Sequence, residues 1–255
     1  MAEGDTVFRW AVRLREAFDG REILAASAPN PRSPLRRNAG RLVGARVEDV
    51  ETHGKHLIIN FSGGLSLHAH MGMGGGWYVY RSGEAWKRQR RSAWLILDLG
   101  NIDVVQFGGP TMRLVRKVEL RRDSRLASIG LDLLDPDFDV EEGASILASA
   151  PQSELGVALL NQHLLAGIGN IYKSESCWAA RLDPWRPVDS FEREELELVV
   201  ETAQKQLIAG VETGQRPHRI YKMAGRPCPR CRTRVKSRGQ GLDNRTTYWC
   251  PNCQK

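Results

Sequence analysis

Four cysteines near the C-terminus carry the plainest chemistry in this chain. Cys228-Pro-Arg-Cys231 and Cys250-Pro-Asn-Cys253 are two CxxC knuckles separated by 18 residues, a spacing that supplies four thiolates to one tetrahedral zinc ion. A disulfide-bonded tail and a redox CxxC are the competing readings, and duplication of the knuckle favours zinc. Between the knuckles, Gly239, Gly241 and the pair Asp243-Asn244 precede Arg245-Thr246-Thr247-Tyr248-Trp249. Turn residues followed by β-branched and aromatic ones predict a β-hairpin, and one too small for a core of its own folds around its metal. Cys177, the fifth cysteine, reads as a buried structural thiol.

The other end of the chain holds a second candidate. Ala2-Glu3-Gly4-Asp5-Thr6 stands directly before an amphipathic stretch with Val7, Trp10, Ala11, Leu14 and Phe18 on one stripe, so Asp5 or Thr6 is the expected N-cap and Gly20 the stop. A terminus held beside a helix start is unusual, because termini normally fray. That makes Glu3 and the α-amine candidate reactive groups. Lys55 in His53-Gly54-Lys55-His56, and His68, His70, Met71 and Met73 around an alternating strand, are candidates of a weaker kind. Taken singly, they read as a surface lysine, satisfied polar residues, and methionines at a core or rim. In Ala166-Gly167-Ile168-Gly169-Asn170, glycines leave backbone N–H groups at the start of a helix, where an anion is favoured. A tight turn without a ligand is the plainer alternative.

Two kinds of element must position these groups. Strand-like runs at Val43–Val50, His56–Phe61, Leu65–Met71, Trp77–Tyr80, Trp94–Leu99, Ile102–Phe107 and Met112–Leu120 are separated by glycine-rich turns, which predicts an antiparallel sandwich. After Leu120 the period changes, and the acidic, proline-broken stretch Asp132–Asp139 reads as linker. Helical patterns follow at Glu141–Ala150, Glu154–Leu165, Ile171–Leu182 and Glu192–Gly210. The fold class is therefore α+β and multidomain. Domains are expected at 1–122 (catalytic sandwich), 140–223 (helical) and 224–255 (zinc hairpin), with 123–139 as linker. A net charge of +7 favours a polyanionic partner. The stretch Arg81–Ser92, with Arg81, Lys87, Arg88, Arg90 and Arg91, is either a solvated hairpin tip or a phosphate-facing edge. No apolar run approaches a membrane span and no signal core precedes residue 20, which argues for the cytoplasm.

Together these segments resemble the formamidopyrimidine-DNA glycosylase and endonuclease VIII family of base-excision repair enzymes. The resemblance runs nearly end to end and rests on E-G-D-T at 3–6, H-G-K-H at 53–56, H-M-G-M at 70–73, L-L-N-Q-H-L-L-A-G-I-G-N-I-Y at 159–172, and the closing C-P-R-C…R-T-T-Y-W-C-P-N-C-Q. It implies an N-terminal β-sandwich, a helix-two-turn-helix domain and a zinc-finger hairpin, with damaged double-stranded DNA in the cleft between domains. It also implies a monomer associated with the nucleoid. In this family the base is flipped out of the duplex. The α-amine freed by removal of the initiator methionine attacks C1′, and a Schiff base leads to strand cleavage. Carried over by position, the resemblance makes the Ala2 amine the nucleophile, Glu3 the acid/base, and Lys55 a phosphate contact that supports the lyase step. Asn170 and Arg245 would grip the flanking phosphates, Met73 would be the wedge, and His70 a further phosphate contact.

Three positions depart from the family pattern. Proline, a secondary amine, is usual where this chain has Ala2, whose primary amine forms an imine that must be protonated. The alternative reading is therefore a catalytically impaired protein that binds lesions or abasic sites. Gly210–Arg226 is too short for the loop that caps 8-oxoguanine, and Gln106-Phe107-Gly108-Gly109-Pro110 replaces D-P-R-R-F-G. Both point to the endonuclease VIII branch and oxidised pyrimidines. Phe107 reads either as a filler of the opposite-strand gap or as a core residue.

Overall fold

The computed structural model describes residues 2–72 and 74–255, so the wedge expected at Met73 lies outside the described residues. The chain divides into two compact units: Met1–Ala2 with Thr6–Ser128, and Glu3–Asp5 with Ile129–Lys255.

In the first unit, helix α1 (Gly4–Phe18) buries Val7, Ala11, Leu14 and Phe18, the predicted stripe. It starts at Gly4, ahead of the expected cap, and the chain turns away at Gly20 with φ +63°. Strands follow: β1 (Ala25–Ser27), β2 (Val47–His53), β3 (His56–Phe61), β4 (Leu65–His70), β5 (Gly76–Arg81), β6 (Leu95–Asp98), β7 (Ile102–Phe107) and β8 (Thr111–Arg116). They form two four-stranded antiparallel sheets, ordered β1-β6-β7-β5 and β2-β3-β4-β8. The apolar side chains of α1 and both sheets merge into one core. That is the expected sandwich, because alternation puts every second residue of a strand on the same face.

Register decides which side chains share the outer face of the second sheet. His56 faces His70 and Ile58 faces His68 between β3 and β4, while His68 faces Arg113 between β4 and β8. With Leu57, Ile59, Leu67, Ala69 and Met112 turned into the core, the pleat sends His56, His68, His70 and Arg113 to the outer face together. Two sequence expectations shift here. The strand expected at 43–50 runs 47–53, and the run expected to reach Leu120 ends at Arg116, followed by the short helices α2 (Lys117–Arg121) and α3 (Ser124–Ala127).

The second unit opens with β9 (Leu131–Asp132), then α4 (Val140–Ala148), α5 (Leu155–Ala158), β10 (Leu165–Ala166), α6 (Asn170–Ala180) and α7 (Arg193–Thr213). The hairpin β11 (Lys236–Gln240) and β12 (Arg245–Trp249) closes it. The helix expected over 154–165 is a single turn. The Asn161 side chain accepts from the His163 backbone N–H at 3.0 Å, offering the backbone an alternative to the helix ladder. β10 then pairs in parallel with β9, Leu165 against Leu131. Helices α4 to α7 share one apolar core. Among the described residues no helix is long and apolar enough to cross a membrane.

Candidate active site

In the second unit, the glycine tract does place an anion at the start of α6, and the anion is the protein's own. Glu3 is fully buried, and its carboxylate accepts from the backbone N–H groups of Ile171 (3.0 Å) and Tyr172 (3.4 Å). These are orphan donors of a helix N-terminus, at the positive end of its dipole. Glycine is required on both sides. A Cβ on Gly169 would lie 2.2 Å from Glu3 Cδ, and one on Gly4 would lie 2.9 Å from Gly167 Cα. Gly4 N–H donates to the Gly167 carbonyl at 2.9 Å, which fastens the terminal peptide to the tract. Asp5, also fully buried, receives Arg216 through Nε at 2.8 Å and Nη2 at 2.5 Å. A bidentate guanidinium–carboxylate pair of this kind fixes orientation as well as charge. The residues E-G-D are thus locked side by side.

In the first unit, the Ala2 nitrogen donates to the Gly72 carbonyl at 3.3 Å, and the side chain packs against the sandwich core. Lys55 stands half-buried in the two-residue turn between β2 and β3, next to Gly54 at φ +57°. His70, half-buried at the end of β4, is held below the usual imidazole range first by burial and then by the nearby Lys55 charge. Phe107 is a core residue, 1% exposed, with the Arg88 guanidinium over its ring.

Asn170 and Arg245 belong to the second unit. The Asn170 amide donates to the Thr246 carbonyl at 2.7 Å, so it ties the start of α6 to the hairpin, and its buried Oδ1 has no hydrogen-bond partner among the described residues. Arg245 is exposed at the first residue of β12, paired in register with Gln240. Beside Arg245 lies a cavity of about 280 Å³ whose wall also includes Lys173 and Asn161. Lys173 is fully buried and donates to Thr247 Oγ1 at 2.5 Å, and burial lowers its amine to about 8. Glu175, further along α6, accepts from the backbone N–H groups of Arg219, Ile220 and Tyr221 at 2.8–3.1 Å.

The knuckle cysteines converge as expected. Their four sulfurs lie within 4.8 Å of one another, with Cys228···Cys253 at 3.9 Å and Cys231···Cys250 at 3.4 Å. Zn–S bonds of about 2.3 Å set tetrahedral sulfurs roughly 3.8 Å apart, so the donor set fits one structural zinc ion. Hydrogen bonding to Thr233 pulls the Cys231 thiol down to about 5, whereas burial pushes Cys253 up to about 12. Four thiols this close ionise together only around a cation. Beyond them the finger has little apolar support: Ile220, Val235 and the partly buried Trp178, Met223 and Tyr248.

Comparison with known proteins agrees with this anatomy. Residues 1–112 match the formamidopyrimidine-DNA glycosylase N-terminal domain, 129–222 its H2TH domain, and 225–255 the zinc finger found in FPG and IleRS. "Probable endonuclease 8 2" of Streptomyces coelicolor is 37% identical, over 100% of this chain and 94% of that protein. The chain belongs to the formamidopyrimidine-DNA glycosylase and endonuclease VIII family. Within it, "DNA-(apurinic or apyrimidinic site) lyase Nei2" of Mycolicibacterium smegmatis is 33% identical over 100% of this chain and 99% of its own length. In fold the chain is similar to Lactococcus lactis Fpg, solved in complex with a DNA containing N7-benzyl-Fapy-dG. The TM-score is 0.85, with 21% identity and 100% of both chains covered.

Sequence reasoning missed the Asp5–Arg216 pair, buried Lys173, Glu175, and the partners of His68. The signal available was a run of charged and hydroxyl residues (Lys173-Ser174-Glu175-Ser176) in a helix flanked by apolar positions. Such a run is polar where a core face is due.

Proposed function

We propose that the protein is a bifunctional DNA glycosylase and AP lyase that removes oxidised pyrimidines from damaged double-stranded DNA. The reading rests on one observation above all: Ala2 is held at Gly72, and the next residue, Glu3, is buried at the N-terminus of α6. A freed α-amine has a pKa near 8, so at working pH a sizeable fraction is neutral and nucleophilic. Its lone pair forms a bond to C1′ as the glycosidic bond breaks, and the base leaves with a proton. Glu3 moves protons to and from the sugar ring oxygen as the ring opens. The resulting imine, once protonated, acidifies the C2′ proton, whose loss expels the 3′ phosphate. Lys55, His70, Asn170 and Arg245 hold the backbone phosphates around the extruded nucleotide, and Met73 fills the gap in the stack. The lesion class follows from the short Gly210–Arg226 segment and the absence of D-P-R-R-F-G. The protein acts as a monomer in the cytoplasm, on nucleoid DNA.

The test is incubation with duplexes carrying dihydrouracil, thymine glycol, 8-oxoguanine or an abasic site. Release of the pyrimidine lesions and strand cleavage at the abasic site are expected. Cleavage of none of them would overturn the enzymatic reading. A second reading is favoured by the primary amine of Ala2: a protein that binds lesions without excising them. Ala2→Pro distinguishes the two, because cleavage gained only in that variant supports the binding-protein reading.

A further inference from the structure

The outer face of the sheet β2-β3-β4-β8 carries a line of side chains, Asp123, Arg113, His68 and His56, to which the proposed reaction gives no role. Asp123 forms an ion pair with Arg113 and also accepts from Arg125. Arg113 Nη2 lies 3.1 Å from His68 Nδ1, and His68 Nε2 lies 2.8 Å from His56 Nδ1. The rings of His56 and His68 stack at 5.1 Å, and His56 is tilted against His70 at 4.8 Å. The pleat and register account for the alignment, since His68 and Arg113 are direct cross-strand partners and His56 is the diagonal neighbour of His68.

The protons in this line are determined by donor chemistry. A guanidinium has donors only, so His68 Nδ1 is an acceptor and the His68 proton sits on Nε2. That proton is donated to His56 Nδ1, which leaves the His56 proton on its own Nε2. The reverse arrangement would set an N–H on His68 against an N–H of Arg113. Both rings are neutral: burial, reinforced by neighbouring cations and rings, lowers His56 to about 3 and His68 to about 4. His68 is 4% exposed and His56 half-buried. With Nδ1 engaged by His68, the Nε2–H of His56 points away from that hydrogen bond.

We propose that Asp123, Arg113 and His68 act as a positioning relay that presents the His56 Nε2–H as a fixed, uncharged donor to a DNA backbone phosphate. The contact lies beside Lys55, its neighbour in sequence, and His70, its cross-strand partner. This inference rests on the proposed DNA-repair function for the phosphate. The tautomer itself does not. A neutral donor set in place by a chain of hydrogen bonds costs no reorganisation when the phosphate arrives, and it adds direction to the non-directional charge of Lys55.

Two measurements on the full chain test it. Long-range nitrogen–proton NMR between pH 6 and 8 is expected to show His56 and His68 as neutral Nε2–H tautomers. A protonated Nδ1 on either ring, or an imidazolium, would overturn the relay, and Arg113→Met is expected to abolish the fixed tautomer of His68. The second is affinity for a duplex with a tetrahydrofuran abasic analogue. His56→Asn keeps an acceptor for His68 and loses the outward donor, and is expected to bind about tenfold more weakly at unchanged Tm. His56→Gln, which restores an N–H near the Nε2 position, is expected to recover most of that loss. Equal binding by His56→Asn and the unaltered protein would refute the phosphate contact while leaving the repair function standing. If the unaltered protein itself does not bind the duplex, both the contact and the proposed function fail.

Discussion

Alanine at position 169 is a sharp test of how Glu3 is held. Gly169 has φ −119° and ψ −168°, an extended backbone that alanine adopts freely, so the substitution carries no conformational strain of its own. Its Cβ would instead lie 2.2 Å from Glu3 Cδ and 2.6 Å from Oε1, and the carboxylate must leave the α6 terminus. The loss is a charge-assisted hydrogen bond of about 1.5–3 kcal/mol, together with roughly 0.5–1 kcal/mol of helix-dipole stabilisation. A total near 3 kcal/mol lowers Tm by roughly 6–12 °C in a chain of this size. Lyase activity is expected to fall by at least about 100-fold, the lower range for a displaced acid/base. Glu3→Ala removes the same interactions, so the two changes are not additive. In the Glu3→Ala background, Gly169→Ala is expected to cost less than about 0.5 kcal/mol, since the new methyl meets an emptied space. Urea titration and abasic-site cleavage on all four proteins complete the cycle. If Gly169→Ala costs the same with and without Glu3, the placement of Glu3 at this helix start is wrong.

Other consequences arise from the same geometry. Burial lowers Lys173 from 10.5 to about 8, so between those values the unfolded chain carries a proton that the folded chain lacks. Stability therefore rises with pH across that window, by up to about 3 kcal/mol. Lys173→Met removes the rise, which urea titrations of both proteins at pH 7.5 and 10 will reveal as a converging difference. Removal of zinc by a chelator is expected to unfold the hairpin carrying Arg245 and to abolish duplex binding, with one zinc per chain by elemental analysis. Asn170→Ala and Arg245→Ala are each expected to weaken abasic-duplex binding about tenfold or more, and Arg245→Ala to flatten the salt dependence of log Kd by about one unit. No change in the salt slope would remove Arg245 from the backbone contacts.

What could be read in the sequence divides along physical lines. The knuckle cysteines, the hairpin turn and the strand alternation are local patterns, and the structure reproduces them, including Asn244 at φ +50°. The tract Gly167–Asn170 was legible as an anion site because glycines before a helix leave donors open. Its occupant was not, because Glu3 is 168 positions from Ile171 and no periodicity connects them. The same limit hid Asp5 from Arg216 and Arg113 from His68, which meet only through tertiary folding or sheet register. The helix expected over 154–165 failed for a local reason: Leu159-Leu160-Asn161-Gln162-His163-Leu164-Leu165 has helical spacing, but Asn161 turns the backbone and β9 captures Leu165. Phe107 is a different case: its sequence context allowed both a gap-filling DNA contact and a core position, and its side chain is enclosed in a small aromatic core.

The central claim is that the nitrogen of Ala2 bonds to the sugar. Borohydride reduction during reaction with abasic-site DNA, with proteolysis and mass spectrometry of the cross-linked peptide, tests it directly. The expected product is the reduced sugar on the α-amine of a peptide beginning at Ala2. An adduct on the Lys55 or Lys173 side chain, or no adduct with protein whose N-terminus is Ala2, would contradict it.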